Sequence, residues 1–462
     1  MSTLKTTNLQ SSDASSANII LGQGSGGGAT ISGVTTSSTL RATTGIVTTA
    51  TITTADVTTS RTTTGITTTA TIDTATVGGV TTLNSDGVNC TGISTAKTFV
   101  PTEGQLSNRN LVINGAMLVA QRGTSTTSSG YLIDRQNVFF LNLDEALTQA
   151  QVDVSSGTDP YNEGFRKALK ITNGNQTSGA GSGDRIQPQH KIEAQNVVNS
   201  GWNHTDSNSF ITLSFWVKSS VAQTYYGYLR TQDGTSRIYT YSVALSANTW
   251  TKVVKTIPGN SNIQIDNDNG EGLQWNILLP FIGTDLTDSG VSLNAWNTYA
   301  GGTRTPDNTS TWYTTNDSTM EFTGLQAEVG SVATPFEYRS YGDELARCLR
   351  YYWKDKATDA YHSFTVGASY GTDNVYGTVR FPVPMRSSGS GIAFGYSQFS
   401  DFQILQGSIN KTPTSFLTSD RINQYGGQLF YKDGTDGLTS GHASWLRAGN
   451  NTNAYFSYDC EL

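Results

Sequence analysis

The stretch TYYGYLRTQDGTSRIYTYS, residues 224–242, sets Tyr225, Tyr226, Tyr228, Tyr239 and Tyr241 within a few positions of Arg230 and Arg237. A second aromatic set lies toward the end of the chain: Tyr361, His362, Tyr370, Tyr376, Tyr425, Tyr431 and Trp445. Flat aromatic faces flanked by hydrogen-bonding groups suit the C–H face of a sugar ring and the hydroxyls at its rim. The chemistry these residues offer is therefore noncovalent glycan recognition, with Tyr226, Tyr228, Arg230 and the distal set as the candidate contacts. Strand alternation turns about half of such aromatics into a core.

Covalent chemistry has little to stand on. The four histidines, His190, His204, His362 and His442, are scattered, and neither a G-x-S-x-G elbow nor an H-E-x-x-H helix occurs. Asp144 and Glu145 adjoin in sequence, but a glycosidase pair is defined in space, so they decide nothing. In DNDNGEG (266–272), Asp266, Asp268 and Glu271 resemble a calcium loop only in part. Gly270 falls one place early and Ile277 occupies the twelfth position, which favours an ordinary acidic turn. Cys90, Cys348 and Cys460 are too far apart for a disulfide framework or a zinc cluster. The reading is a non-enzyme with no catalytic residue, no metal and no cofactor, made in a reducing compartment.

Composition says what must position these residues. Charged residues are 14% of the 462 and glycine numbers 48, a balance that favours strands and turns over helices. The net charge of −7, without a Lys/Arg run, speaks against nucleic acid as a partner. No apolar run reaches membrane-spanning length, so no membrane insertion is expected. Residues 1–30 lack the basic start and apolar core of a signal peptide.

The chain then divides into five segments. Residues 1–30 end in a Gly/Ser stretch and carry one apolar cluster, NIIL at 18–21, read as a docking segment. Residues 31–98 are threonine-rich and repeat with a period of 20: Ile46, Ile52 and Val57 recur as Ile66, Ile72 and Val77. So few apolar groups cannot offset the entropy of ordering one chain, at about 1–2 kcal/mol per residue. Three chains sharing one axis can bury them together, so these six side chains are the expected core of a trimeric β-stalk. From Phe99, the first aromatic, to residue 338 the strand-like runs 210–220, 241–257 and 273–283 suggest a jelly-roll β-sandwich. A helix over 339–356 follows, capped by Ser340 with Asp343 at the third position, its stripe being Leu345, Cys348, Leu349 and Tyr352. Residues 357–462 return to strands and suggest a smaller C-terminal β-sandwich.

Three stretches carry a resemblance: NRNLVINGAMLVAQRGTS…YLIDRQNV (108–138), SFWVKSS (214–220) and, above all, GLQAEVGSVATPFEYRSYGDELARCLRYYWK (324–354). Together with RFPVPMRSS (380–388) they resemble bacteriophage tail-fibre proteins, the marine and cyanophage-like kind with a carbohydrate-binding-module-like jelly roll. The match covers roughly 105–388 and departs at Gln136, where the family commonly has an aromatic. The resemblance implies a mainly β, elongated homotrimeric fibre with a stalk, a jelly roll, a connecting helix and a receptor-reading tip. It implies attachment of the N-terminus to a tail, adaptor or baseplate protein, and a host-surface glycan such as lipopolysaccharide as the ligand. The chain would then sit in the virion after assembly in the host cytoplasm. It supplies no catalytic residue. Within the motif, Glu328 and Arg339 are an expected ion pair across the turn.

Two other readings use the same residues. An enzymatic tail spike would need an acid pair in a groove, usually on a long β-helix whose pattern is missing here. A cellular adhesin or lectin would use the threonine segment as a spacer.

Overall fold

The computed structural model describes residues 107–418 and 421–462, all within one compact unit, Thr95–Leu462. The expected attachment segment 1–30 and the stalk positions Ile46, Ile52, Val57, Ile66, Ile72 and Val77 lie outside the described residues.

Alternation builds the first sandwich. In Phe210–Ser219, Ile211, Leu213, Phe215 and Val217 face a core shared with Leu273, Trp275 and Ile277 of Glu271–Leu279 in the opposite sheet. The Phe215 and Trp275 rings meet edge to face, 5.6 Å apart, and so pin one sheet to the other. Trp216, on the other side of its strand, is buried as well, because Phe165 and Ala168 pack beneath it in a satellite cluster.

Eight strands carry the topology: Lys167–Thr172, Arg185–Glu193, Phe210–Ser219, Gln223–Thr231, Arg237–Leu245, Thr251–Pro258, Glu271–Leu279 and Thr319–Val329. Taken in chain order, the first, eighth, third and sixth lie side by side in one sheet, and the second, seventh, fourth and fifth in the other. That is the order of a jelly roll. Shorter strands extend the sheets to six and eight members, with Gln136–Leu141 pairing beside Arg185–Glu193. The strand-like run 241–257 is two strands in different sheets. Asn248 sits at φ 58 between them, a left-handed conformation that asparagine tolerates and a strand cannot contain.

The second sandwich sets a seven-stranded sheet against the three strands Tyr352–Lys356, Tyr455–Asp459 and Ala393–Tyr396. Its core is aromatic: the Phe402 ring lies 4.8 Å from Phe456 and 5.0 Å from Phe416. Phe402–Gln406, Ile409–Lys411 and Ser415–Thr418 are strands that the sequence pattern did not announce.

The helix Tyr341–Leu349 is capped as expected, Ser340 accepting from the Asp343 backbone N–H at 3.2 Å. It is shorter than 339–356. Tyr352 belongs to the following strand rather than to the helical stripe, and the buried helix positions are Glu344 and Cys348. The expected Glu328–Arg339 pair does not form. Glu328 accepts from Thr334 and lies 4.0 Å from Arg109, while Arg339 pairs with Glu337 at 3.1 Å and Glu344 at 3.6 Å. Two arginines of the 108–138 stretch serve the join between sandwiches. Arg135 stacks on Tyr351 and pairs with Glu461, and Arg122 covers the Tyr352 ring and pairs with Asp459 at 2.8 Å. Gln136 is buried and donates to the Ile113 carbonyl at 3.1 Å, so an amide fills the place expected of an aromatic.

Candidate functional site

The outward side of the eight-stranded jelly-roll sheet carries a cleft of about 260 Å³. Strand register assembles it. Asn137 lies opposite Gln189, Gln189 opposite Asn276, and Asn276 opposite Tyr228, so one polar row crosses four strands. Gln274 lies opposite both Lys191 and Arg230 in the adjoining row. Phe139 and Tyr299 supply aromatic surface, the buried Tyr228 contributes its hydroxyl side to the base, and Arg185, Gln187 and Arg304 complete the lining. These side chains share a face because residues two apart along a strand point the same way.

The cleft is polar at its base and ringed by cations. Gln187 donates to the Tyr228 hydroxyl at 2.8 Å and reaches Asn276 Oδ1 at 3.4 Å. Asn276 is fully buried, and its Nδ2 has no hydrogen-bond partner. Asn137 Oδ1 is unpartnered too. Burial pushes the Tyr228 phenol up to about 12, so it remains a neutral donor and acceptor at physiological pH. Arg230 lies over the Tyr299 ring at 3.6 Å, and Arg185 over Phe139 at 5.1 Å.

Of the residues singled out in 224–242, Tyr228 and Arg230 line this cleft. Tyr226 is half-buried on the same strand and outside the lining, while Tyr225 and Tyr241 are core. The remaining lining residues escaped sequence reasoning. The one available signal was RIQPQHK (185–191), where Arg185, Gln187, Gln189 and Lys191 alternate with Ile, Pro and His, as expected of a strand with a polar outer side.

The distal set separates into four environments. Trp445, Tyr376 and Tyr370 lie on the outer side of the seven-stranded sheet together with Val366, which pairs directly with Trp445. Tyr370 is 76% exposed and its ring meets Tyr376 edge to face at 5.6 Å. Tyr361 borders this side, under Arg447 at 4.7 Å. His362 packs on Phe364 and reaches Asp355 at 3.4 Å, a structural position. Tyr425 is exposed elsewhere, in a hollow shared with Asn269 and Arg386. Tyr431 is fully buried in the second core, its hydroxyl donating to the Ser444 carbonyl at 3.2 Å, and so offers no face to a ligand.

A larger cavity of about 660 Å³ lies against the helix, lined by Arg339, Arg347, Arg350, Val383 and Pro384 among others. It has no aromatic lining, and its arginines are engaged by Glu337, Asn108 and Glu193. Among the described residues no group of three or more His, Cys, Asp or Glu is arranged to hold a metal ion. Asp268 caps the Gly270 N–H in its turn, and Glu271 pairs with Lys191 at 3.0 Å.

No protein-family model matches this sequence. No curated protein matches it either. Among solved structures, the enzymatically active domain of tailspike protein 4 of bacteriophage CBA120 is similar at 9% identity and TM-score 0.25, over 48% of this chain and 21% of that one. This chain thus spans about a fifth of that protein's length. A structure described as "CBM4 structure and function" is similar at 11% identity and TM-score 0.24, over 47% of this chain and 99% of that one. The tandem CBM22 domain of Xyn10C from Paenibacillus barcinonensis gives 9% and 0.23, over 74% and 96%. The similarity to carbohydrate-binding modules and a tailspike domain is distant.

Proposed function

We propose that this chain is a bacteriophage tail fibre that holds a host-surface glycan noncovalently, with the jelly-roll cleft as its sugar-binding site. The observation that supports the binding role is the cleft itself: the Phe139 and Tyr299 rings beside a polar base of Gln187, Gln189 and Gln274. Rings of this kind accept the C–H face of a sugar, and fixed amides read its hydroxyls. The outer side of the seven-stranded sheet, with Trp445, Tyr376 and Tyr370, is a second aromatic surface suited to the same ligand class.

The fibre role rests on sequence, on the 324–354 motif and the threonine repeat. In this reading three copies share the 31–98 segment, the N-terminus attaches to a tail or baseplate protein, and weak sites add through multivalency. In this reading the glycan is held and not cleaved.

The test uses the full chain. It should sediment as a trimer, retard in gels containing host surface polysaccharide, and block adsorption of phage. Phe139→Ala with Tyr299→Ala should abolish retardation. A monomer in the ultracentrifuge would end the fibre reading, and release of reducing ends from the polysaccharide would replace it with an enzymatic spike.

A further inference from the structure

The chain carries a net charge of −7, yet no Asp or Glu lines the cleft, while Arg185, Lys191, Arg230 and Arg304 do. Lys191 is spent, on Glu271 at 3.0 Å and on the Leu462 carbonyl at 2.9 Å. The three arginines have no carboxylate within ion-pair distance among the described residues; their Nε atoms meet at most a hydroxyl or a carbonyl, Arg230 on Ser236 and Arg304 on Gly301. Nε of Arg185 is buried and unpartnered. Burial and the nearby charge of Arg304 both disfavour the charged form of Arg185. A guanidinium does not discharge at physiological pH, so this repulsion persists until an anion enters.

Resting on the reading of the cleft as a sugar site, we propose that its ligand is an acidic polysaccharide whose oxyanion is held between Arg185 and Arg304. A carboxylate or a sulfate ester presents the paired oxygens that a guanidinium fork takes bidentately. Stacking of Arg230 on Tyr299 and of Arg185 on Phe139 orients the forks before the ligand arrives. The anion sets which polymer is chosen, and the rings set that a sugar is bound at all.

Affinity electrophoresis of the full chain in gels of polygalacturonate, a sulfated galactan and unsubstituted galactan tests this. One acidic polymer should retard the chain strongly and the neutral polymer weakly, and which acidic polymer does so distinguishes carboxylate from sulfate. Arg185→Gln with Arg304→Gln should weaken the acidic interaction roughly ten- to hundredfold, far more than it changes the neutral one. Arg185→Lys with Arg304→Lys should recover only part of it. Circular dichroism matching the parent shows that the variants fold. Equal retardation by neutral and acidic polymers, or no effect of the glutamine pair while Phe139→Ala with Tyr299→Ala abolishes binding, overturns the charge inference and leaves the sugar site standing. Indifference to both pairs overturns the site as well. Displacement of the polymer by a single-stranded oligonucleotide as readily as by its own oligosaccharide would make the cleft a general polyanion patch and also overturn the inference, as would no retardation by any polymer.

Discussion

Arg350 grips Glu193 through two hydrogen bonds, Nε to Oε1 at 2.8 Å and Nη2 to Oε2 at 2.9 Å. The pair ties the residue that follows the helix to the last residue of a jelly-roll strand, and the Glu193 side chain is fully buried. Removing the cation would strand a buried carboxylate. Arg350→Ala should therefore destabilise the chain by about 3 kcal/mol, the low end for a broken buried pair because Arg350 is partly exposed. Urea unfolding of parent and variant measures it, and a change within about 0.5 kcal/mol would show the join to be held elsewhere.

The same pair predicts a pH dependence. Burial alone would raise the Glu193 carboxyl, but hydrogen bonds from Arg350, Tyr351 and Gln195 and the charge of Arg350 together outweigh it and hold the group below its ordinary 4.5. Its contribution is present above 4.5 and is lost as pH falls through the lowered value. Asp134 runs the other way: burial raises it to about 6, so its contribution is full below 3.8 and is lost as pH rises through 6. The total curve mixes the two. The difference in Tm between parent and Glu193→Gln isolates the first, and should shrink on acidification below 4.5.

Tyr431 and Tyr370 separate core from surface. Tyr431→Ala empties a fully buried site and should cost roughly 3–5 kcal/mol. Tyr370→Ala removes a ring that is mostly exposed and should change stability by less than about 1 kcal/mol. Chemical denaturation of the two variants side by side distinguishes them; equal losses would refute the assignment of Tyr370 to the surface.

Gly115 sits in the stretch NLVINGAML for a steric reason. A Cβ there would lie 2.0 Å from the Leu325 carbonyl oxygen, and the Gly115 carbonyl accepts from the Leu325 N–H at 3.0 Å. Gly115→Ala must push the entering segment off the strand Thr319–Val329. A loss of about 3 kcal/mol is expected, read as a lowered urea midpoint. An unchanged midpoint would mean the segment is not packed against that strand.

Much of the architecture follows from local pattern alone. Alternation in 210–220, the Ser340 and Asp343 cap and the abrupt onset of aromatics at Phe99 determined the strands, the helix start and the sandwich class. A two-residue period and a capping hydroxyl act over a few positions, so sequence carries them directly. The helix end was less legible, because Tyr352 suits an apolar stripe as well as a strand, and pairing with Asp459 in Tyr455–Asp459 decided for the strand.

The cleft was decided by tertiary structure. Asn137, Gln189, Asn276 and Tyr228 are spread over 140 positions of sequence and become one row only through the pairing of four strands. Sequence by itself supplied Tyr228 and Arg230 as sugar-binding types, and could not separate Tyr431 from Tyr370, since both belong to aromatic, strand-like runs. Which face meets solvent depends on the sheet packed behind it, a long-range relation that no local window contains.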